Sequence, residues 1–208
     1  FAVRKMFPAR MLPRIRITRL HRETRTLVVV PTLLTSRKQA LQTARRLSTL
    51  RLAHPDPYLD FLLLADFADA ATETEAEDEE IIAAASLAVE EMNRQGQRGV
   101  YYLHRARKWD AGQRRFTGRE RKRGALENLN QLIAEGKARD TFLYSSVEEG
   151  FWQGRYAYVI TLDADTFLPP GAAHQLVGTM EHPLQKGRVG VVQARMEIAA
   201  DAVHTRTQ

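Results

Sequence analysis

The sequence predicts an α/β domain in which a mainly parallel β-sheet is flanked by α-helices. Runs of consecutive apolar residues, many of them β-branched, indicate strands that are buried on both faces of a sheet. Segments with apolar residues at helical spacing alternate with these runs along the chain. The 208 residues, 44% of them apolar, are enough to bury the core of one domain. In sheets of this class, ligands bind at the carboxyl ends of the strands.

Each predicted strand is a short apolar run that is bounded by turn-forming residues or charges. The first, TLVVVPTLLT, contains three consecutive valines followed by Pro31. The second and third, FLLLADF and VYYLHR, carry their charged residues near their carboxyl ends. The fourth, RYAYVITLDADT, is the most strand-like run in the chain and is closed by Leu168-Pro169-Pro170-Gly171. The predicted strands are residues 26–35, 61–67, 100–105, 155–166 and 189–196.

The predicted helices lie between these strands. Thr35 and Ser36 are favourable N-cap residues, and small or apolar residues recur on one side of the segment that follows them. The next helix begins with an acidic run, which suits the positive end of the helix dipole. The predicted helices cover residues 36–52, 77–95, 121–135 and 171–182, and residues 106–119 are predicted to form a loop.

Charge is segregated along the chain. Residues 1–25 carry eight basic residues and one acidic residue, residues 66–91 carry ten acidic and no basic residues, and residues 94–124 carry eleven basic and two acidic residues. A basic block can bind nucleic acid, anionic lipid or nucleotide phosphates, and net charge does not choose among them. The absence of cysteine excludes disulfides, thiolate metal sites and thiol nucleophiles.

Residues 1–25 are predicted to form a basic arm outside the folded domain of residues 26–208. Pro8 and Pro13 make this segment a poor continuous helix. Arginine-rich sequence is common on the cytoplasmic side of a membrane segment, so the arm is interpreted as a juxtamembrane linker or as a solvated tail. The chain starts at Phe1 without a signal-peptide pattern, so we expect it to be a piece of a longer protein.

Asp163 and Asp165 are the first candidates for a metal site. They follow a buried strand, and side chains two residues apart on extended backbone point the same way. Two hard oxygen ligands suit Mg²⁺ or Mn²⁺, and such an ion can neutralise a pyrophosphate. The same residues also fit a turn, with Asp165 and Thr166 starting a bend.

Two further features lie where this fold class places ligand contacts. Asp66 ends the second strand, where its carboxylate could accept hydrogen bonds from a base or ribose or could cap a loop. The segment from Gly118 to Gly124, GRERKRG, is a cationic turn that enters a helix, where backbone amides add to the attraction for phosphate. It is either a phosphate site or a solvated basic loop, and it is not a Walker sequence.

Taken in order, these motifs resemble one family. A VVVPT strand, a second strand ending at Asp66, Lys122 two residues before Gly124, and YVITLDADTFLPP resemble the nucleotide-sugar half of processive GT-A glycosyltransferases. LLLADFADA, YYLHRARKW, GRERKRGALENLN and GTMEHPL are similar, in the same order, to the glycosyltransferase region of cyclic β-1,2-glucan synthases. The resemblance covers about residues 26–195.

The resemblance implies a GT-A, Rossmann-like fold that binds UDP-glucose. It implies that Asp163 and Asp165 hold the Mg²⁺ or Mn²⁺ that bridges the diphosphate, that Thr32 and Asp66 contact the uridine, and that Lys122 meets phosphate together with its neighbours Arg121 and Arg123. It also implies a hexosyltransferase that inverts the sugar linkage, takes a glucan acceptor and lies at the cytoplasmic face of the bacterial inner membrane, held there by segments outside this chain.

The sequence departs from the family pattern at its end. Related enzymes carry the general base and an acceptor-side Gln/Arg/Trp motif after the fifth strand, and this chain ends at Gln208 before either. Glu127 stands where broader relatives tend to have Asn. We therefore expect a GT-A core that is incomplete at its C-terminal end and truncated before the acceptor half, able to bind donor but inactive, with its general base beyond Gln208.

Two other functions remain open from the residues alone. The basic block of residues 94–124 could bind nucleic acid, although it alternates with an acidic block and carries few aromatic residues for base stacking, so no nucleic acid is expected as partner. A divalent-ion nucleotidyltransferase acting on UTP and glucose 1-phosphate could use the same carboxylate pair. The absence of a glycine-rich nucleotide loop after the first strand argues against it.

Overall fold

The computed structural model describes residues 12–137 and 141–194. The chain divides into two compact units, and Thr18–Ala173 forms the larger one. Residues 12–17 and 174–194 are the described part of the smaller unit. The described residues form seven strands: β1 (Thr26–Leu34), β2 (Leu59–Phe67), β3 (Val100–Arg105), β4 (Lys108–Asp110), β5 (Arg115–Thr117), β6 (Phe142–Ser145) and β7 (Tyr158–Thr161). They also form four α-helices: α1 (Arg37–Ala53), α2 (Asp78–Arg94), α3 (Arg121–Glu135) and α4 (Ala172–Met180).

Five strands build one sheet in the order β6-β3-β2-β1-β7. All neighbours are parallel except β6, which is antiparallel to β3. The predicted α/β class with a mainly parallel sheet is therefore confirmed. The strand order reverses between β1 and β7, and such a switch point is where open α/β sheets bind ligands.

Pro31 lies inside β1 without breaking the sheet. β1 pairs with β7 only from Thr26 to Val29, whose carbonyl accepts a hydrogen bond from the N–H of Leu162. Pro31 is two residues further along and faces the same side, beyond the end of β7. Its missing N–H therefore removes no bond from the ladder.

Helices cover the sheet and bury its central strands. All nine residues of β2 are buried, as expected for a strand with a layer on each face. α1 and α2 are the connections between the parallel strands β1, β2 and β3, and these two helices pack on each other and on the strands. α3 packs on a core made of alternate strand residues, Leu27 and Val29 from β1 and Leu62 and Leu64 from β2. Leu129 of α3 is fully buried in that core.

The structure corrects three predictions. Residues 189–194 form no strand, and Val191 is 86% exposed, because no neighbouring strand in the described part of the chain pairs with this run. Residues 195–196 of that prediction lie outside the described residues. The predicted loop 106–119 contains the β4–β5 hairpin, which pairs through Phe116 with Ala70. β6 was not predicted, because its half-exposed edge position lacks a continuous apolar run.

The described residues of the smaller unit come from two segments that are far apart in the sequence. The N–H of Ile15 donates to the carbonyl of Gly178 at 3.0 Å, and Arg14 Nη1 donates to Gln175 Oε1 at 2.7 Å. The described part of the predicted basic arm, residues 12–25, is thus divided between the units, and the rest of the arm lies outside the described residues. Within the part of the chain that is described, none of the helices has the length and apolar character needed to cross a membrane.

Candidate functional site

A cleft of about 180 Å³ opens at the carboxyl ends of β1 and β2. Four of the residues predicted to bind the donor line it: Thr32, Asp66, Arg121 and Lys122. Thr32 and Asp66 lie on neighbouring strands, since Thr32 pairs with Ala65 in the β1–β2 ladder. The apolar part of the wall includes Pro31, Leu33, Leu64, Phe67 and Ala125. The fold therefore brings residues from positions 32, 66 and 121–122 into one cleft.

Asp66 is held by a buried arginine at the end of the neighbouring strand. Arg105 donates to both carboxylate oxygens, from Nε to Oδ1 and from Nη2 to Oδ2, each at 2.6 Å. Its other donors bind the carbonyls of Arg119 and Arg121, at 3.2 and 3.0 Å, and the side-chain oxygen of Asn128 at 2.9 Å. The Arg105 side chain is only 3% exposed. Asp66 is thus a carboxylate whose position is fixed on both oxygens.

Two glycines make room for this ion pair. A Cβ at Gly118 would lie 2.8 Å from both Cγ and Oδ2 of Asp66. A Cβ at Gly124 would lie 2.1 Å from the carbonyl oxygen of Arg119 and 3.2 Å from Arg105 Nη1. The 2.8 Å distances at Gly118 and the 2.1 Å distance at Gly124 are shorter than real Cβ contacts allow. Packing therefore requires glycine at both ends of the GRERKRG segment.

The turn before α3 has an unusual backbone. Glu120 and Arg121 have φ angles of 54° and 46°, in the left-handed region that residues with a Cβ seldom adopt. Lys122 follows directly and lines the cleft. Strained backbone of this kind persists only where the surroundings fix it, and it is common at functional sites.

A second buried arginine pair lies beside the first. Arg107 binds both oxygens of Asp78, at 2.5 and 3.0 Å, and donates to the carbonyl of Ala68 at 2.7 Å. Its guanidinium lies over the ring of Phe67, 4.4 Å from the centroid. His104 also packs against that ring, and burial lowers its pKa to about 3. His104 is therefore neutral, and it supports the cleft wall without carrying charge into it.

The cations at the cleft already contact carboxylates. Arg121 Nη2 lies 2.6 Å from Asp69 Oδ2, and Lys122 Nζ contacts Asp163 Oδ1. The side chains of Lys122 and Asp163 are about half exposed, at 48% and 56%, so solvent or a ligand can reach both. The contact places the predicted metal residue Asp163 next to the predicted phosphate residue Lys122.

Asp163 and Asp165 do not lie on extended backbone, which corrects the geometric expectation for this pair. β7 ends at Thr161, and the N–H of Thr166 donates to the carbonyl of Asp163 at 2.9 Å, which closes a turn. The alternating geometry of a strand is therefore lost before the second acid, and Asp165 lies in the turn. Both carboxylates are exposed.

Arg123 does not line the cleft. Its side chain is 74% exposed, and its Nε lies 3.1 Å from Glu120 Oε2 and 3.2 Å from Glu127 Oε1. These are helix-surface pairs one turn apart. Glu127, which departs from the family pattern, is engaged by this arginine.

Sequence reasoning missed that Arg105 and Arg107 are buried in ion pairs with Asp66 and Asp78. The available signal was the pair of opposite charge blocks in residues 66–91 and 94–124, since the ends of β2 and β3 are neighbours in a parallel sheet. Besides the pair Arg94–Glu91 on the surface of α2, three ion pairs between the described residues link these blocks: Arg105–Asp66, Arg107–Asp78 and Arg121–Asp69.

A mainly parallel sheet with a cleft at the carboxyl ends of its central strands is the arrangement of a Rossmann-like α/β domain. Over 170 residues, 79% of this chain, the sequence is 34% identical to the cyclic beta-(1,2)-glucan synthase NdvB of Rhizobium meliloti (strain 1021). The chain is therefore a relative of a segment of that synthase, and the resemblance indicated by the motifs is confirmed. The aligned segment makes up 6% of the length of the synthase. No protein-family model matches the chain.

Proposed function

We propose that this chain is the donor-binding part of an inverting, metal-dependent glycosyltransferase that uses UDP-glucose to make β-1,2-glucan. The observation that supports the proposal best is the convergence of Thr32, Asp66, Arg121 and Lys122 on one cleft, with Lys122 against Asp163. The identity to a glucan synthase supports the same reaction class.

The cleft suits part of a nucleotide sugar. Complete small-molecule pockets commonly measure about 300–1,000 Å³, so a cleft of about 180 Å³ fits a base and ribose better than the whole donor. Asp66 has both oxygens bound to Arg105, yet each carboxylate oxygen can accept more than one hydrogen bond. Thr32 adds a hydroxyl that both donates and accepts. These two residues are the proposed contacts to uridine.

The carboxylates after β7 fit one mode of divalent-ion binding. Among the described residues, no group of three or more acidic or histidine side chains is arranged to hold an ion. Mg²⁺ and Mn²⁺ at phosphate-transfer sites are commonly held by one or two carboxylates, with substrate phosphates and water completing the coordination. Asp163 and Asp165 would hold such an ion, which would neutralise the diphosphate when bound.

The basic residues supply the rest of the chemistry assigned to this chain. Lys122 and Arg121 stabilise the negative charge that grows on the departing UDP. Arg123 lies on the exposed side of α3, so its contribution is a long-range charge effect. Transfer with inversion also needs a general base that takes the proton of the acceptor hydroxyl. The proposal assigns donor binding to this chain and leaves the glucan acceptor, and attachment at the cytoplasmic face of the inner membrane, to the rest of such a synthase.

Calorimetry with UDP and Mn²⁺ tests the proposal. We expect metal-dependent binding of UDP that Asp165→Ala abolishes and Lys122→Ala weakens at least tenfold. Glu90→Gln removes one negative charge from the exposed surface of α2 and is the matched control, for which the affinity should stay within twofold. Equal binding of UDP with and without metal would contradict the metal-dependent role.

The same experiment separates the proposal from nucleic-acid binding. Arg105 and Arg107 belong to the basic block that would bind nucleic acid, but both are buried in ion pairs. We therefore expect any binding of single-stranded or duplex DNA to be far weaker than binding of UDP. DNA affinity that exceeds UDP affinity by orders of magnitude and falls steeply with salt would favour a nucleic-acid module.

A further inference from the structure

All the side-chain N–H donors of Arg105 form hydrogen bonds to other atoms of the protein. Its five N–H groups are accounted for by Asp66, which takes two, and by the carbonyls of Arg119 and Arg121 and the side-chain oxygen of Asn128. No donor is left for a ligand, and Arg105 is not among the residues that line the cleft. Any effect of Arg105 on ligand binding must therefore act through its partners.

Those partners belong to two different parts of the cleft. Asp66 comes from the end of β2, whereas the two carbonyls flank the left-handed residues Glu120 and Arg121 at the start of α3. Left-handed backbone is unfavourable for residues with a Cβ, and here it occurs twice in succession. The planar guanidinium, with donors on both sides, ties this turn to the carboxylate.

Arg107 offers an internal comparison. It also leaves the end of β3, is also buried, and also binds an aspartate through both oxygens. Its partner Asp78 is the first residue of α2 and does not line the cleft. Buried ion pairs often contribute little net stability, so stability alone does not explain why the cleft is built around one.

We propose that Arg105 is a positioning residue that holds the Asp66 carboxylate and the Glu120–Arg121 turn in one fixed geometry before any ligand binds. The inference rests on the proposed function in one respect, namely that the ligand is a uridine diphosphate. In that geometry the turn delivers Lys122 and Arg121 to the phosphate side of the cleft, and Asp66 faces the nucleoside side. Arg105 thereby couples the two halves of the donor site without touching the donor.

The test compares Arg105→Lys with Arg107→Lys in the full chain. Lysine keeps the positive charge but lacks the planar fork, so it cannot serve Asp66 and the turn together. We expect both variants to lose several degrees of thermal stability. Arg105→Lys should weaken the binding of UDP with Mn²⁺ at least tenfold, whereas Arg107→Lys should stay within twofold of the parent chain. Equal losses of affinity in the two variants would overturn the inference.

Amide hydrogen exchange on the ligand-free protein provides a readout that does not depend on UDP. The backbone amides of residues 119–124 should exchange faster in Arg105→Lys than in the parent chain, and at the parent rate in Arg107→Lys. Parent exchange rates in both variants would overturn the inference. If the parent chain does not bind UDP, the proposed function fails while this readout still decides whether Arg105 holds the turn. If Arg105→Lys does not fold, Asn128→Ala serves as the second variant, because it removes one hydrogen-bond acceptor of Arg105. Asn128→Ala should weaken UDP binding several-fold, and an unaltered UDP affinity would overturn the inference.

Discussion

Replacing Gly118 with alanine probes the ion pair beneath the cleft with a single methyl group. The backbone angle at Gly118 lies outside the left-handed region that favours glycine, so an alanine is acceptable to the chain itself. The new Cβ would, however, lie 2.8 Å from Asp66 Cγ and Oδ2 and 3.3 Å from Arg105 Nη2. Ordinary contacts begin at 3.4 Å, so the carboxylate must move by roughly 0.6 Å, away from one of its 2.6 Å hydrogen bonds.

The expected cost follows from these distances. Overpacking of a filled site costs about 1–3 kcal/mol, and a strained buried ion pair adds part of the ~3–5 kcal/mol that its disruption would cost. We expect Gly118→Ala to lower the free energy of unfolding by about 2–4 kcal/mol, measured by urea denaturation with an unchanged m-value. UDP affinity should fall as well, because Asp66 is displaced within the cleft.

Gly150→Ala is the matched control. A Cβ there would meet nothing within 4 Å, and the backbone angle is not in the left-handed region. Its free energy of unfolding should stay within about 0.5 kcal/mol of the parent chain, or rise slightly because the unfolded chain loses freedom. If Gly118→Ala and Gly150→Ala unfold at the same urea concentration, the packing around Asp66 and Arg105 is looser than the distances state, and the reasoning is wrong.

Three further predictions concern the surrounding core. Burial lowers the pKa of His104 to about 3 from 6.5, so between these values the unfolded chain takes up a proton that the folded chain does not. Stability should therefore fall on acidification, by about 2 kcal/mol between pH 7 and pH 5, and urea unfolding of His104→Gln should show a smaller difference. Asp60, at the amino end of β2, accepts a hydrogen bond from Arg25 at 2.9 Å, and Asp60→Asn should cost about 3 kcal/mol in thermal or urea unfolding while UDP affinity is unchanged. Leu129→Ala should cost about 2–5 kcal/mol by the same measurement, because the side chain is fully buried.

Most of the sheet could be predicted because β1, β2, β3 and β7 each contain a continuous apolar run. β1, β2 and β3 are largely buried, as such runs indicate, whereas β7 lies at the edge of the sheet and is half-exposed. β6 and the β4–β5 hairpin are short and half-exposed, so their pattern is close to that of a loop. Residues 189–194 show the opposite error, since an apolar run forms a strand only when a neighbouring strand is present to pair with it.

The site was predictable where chain order fixes position, and not where it depends on tertiary contacts. Thr32 and Asp66 lie near the carboxyl ends of the buried strands β1 and β2, and these ends form the cleft. The turn at Asp163 and Asp165 depends on where β7 ends, and a two-residue spacing does not show that. From the sequence alone, Lys122 and Arg123 are equivalent neighbours in a basic segment. In the structure, Lys122 lines the cleft and Arg123 faces solvent.

The segregated charges along the chain find their explanation in the parallel arrangement of β2 and β3. Because these neighbouring strands point the same way, the acidic segment after β2 and the basic segment after β3 emerge at the same edge of the sheet. Part of their opposite charge is then satisfied by each other, and the Arg105–Asp66 and Arg107–Asp78 pairs are buried. A basic block of this kind is therefore no measure of a nucleic-acid surface. At the cleft, the side chains of Lys122 and Arg121 stay 48% and 63% exposed although each contacts a carboxylate, so these accessible cations, and not the net charge, determine what the edge can bind.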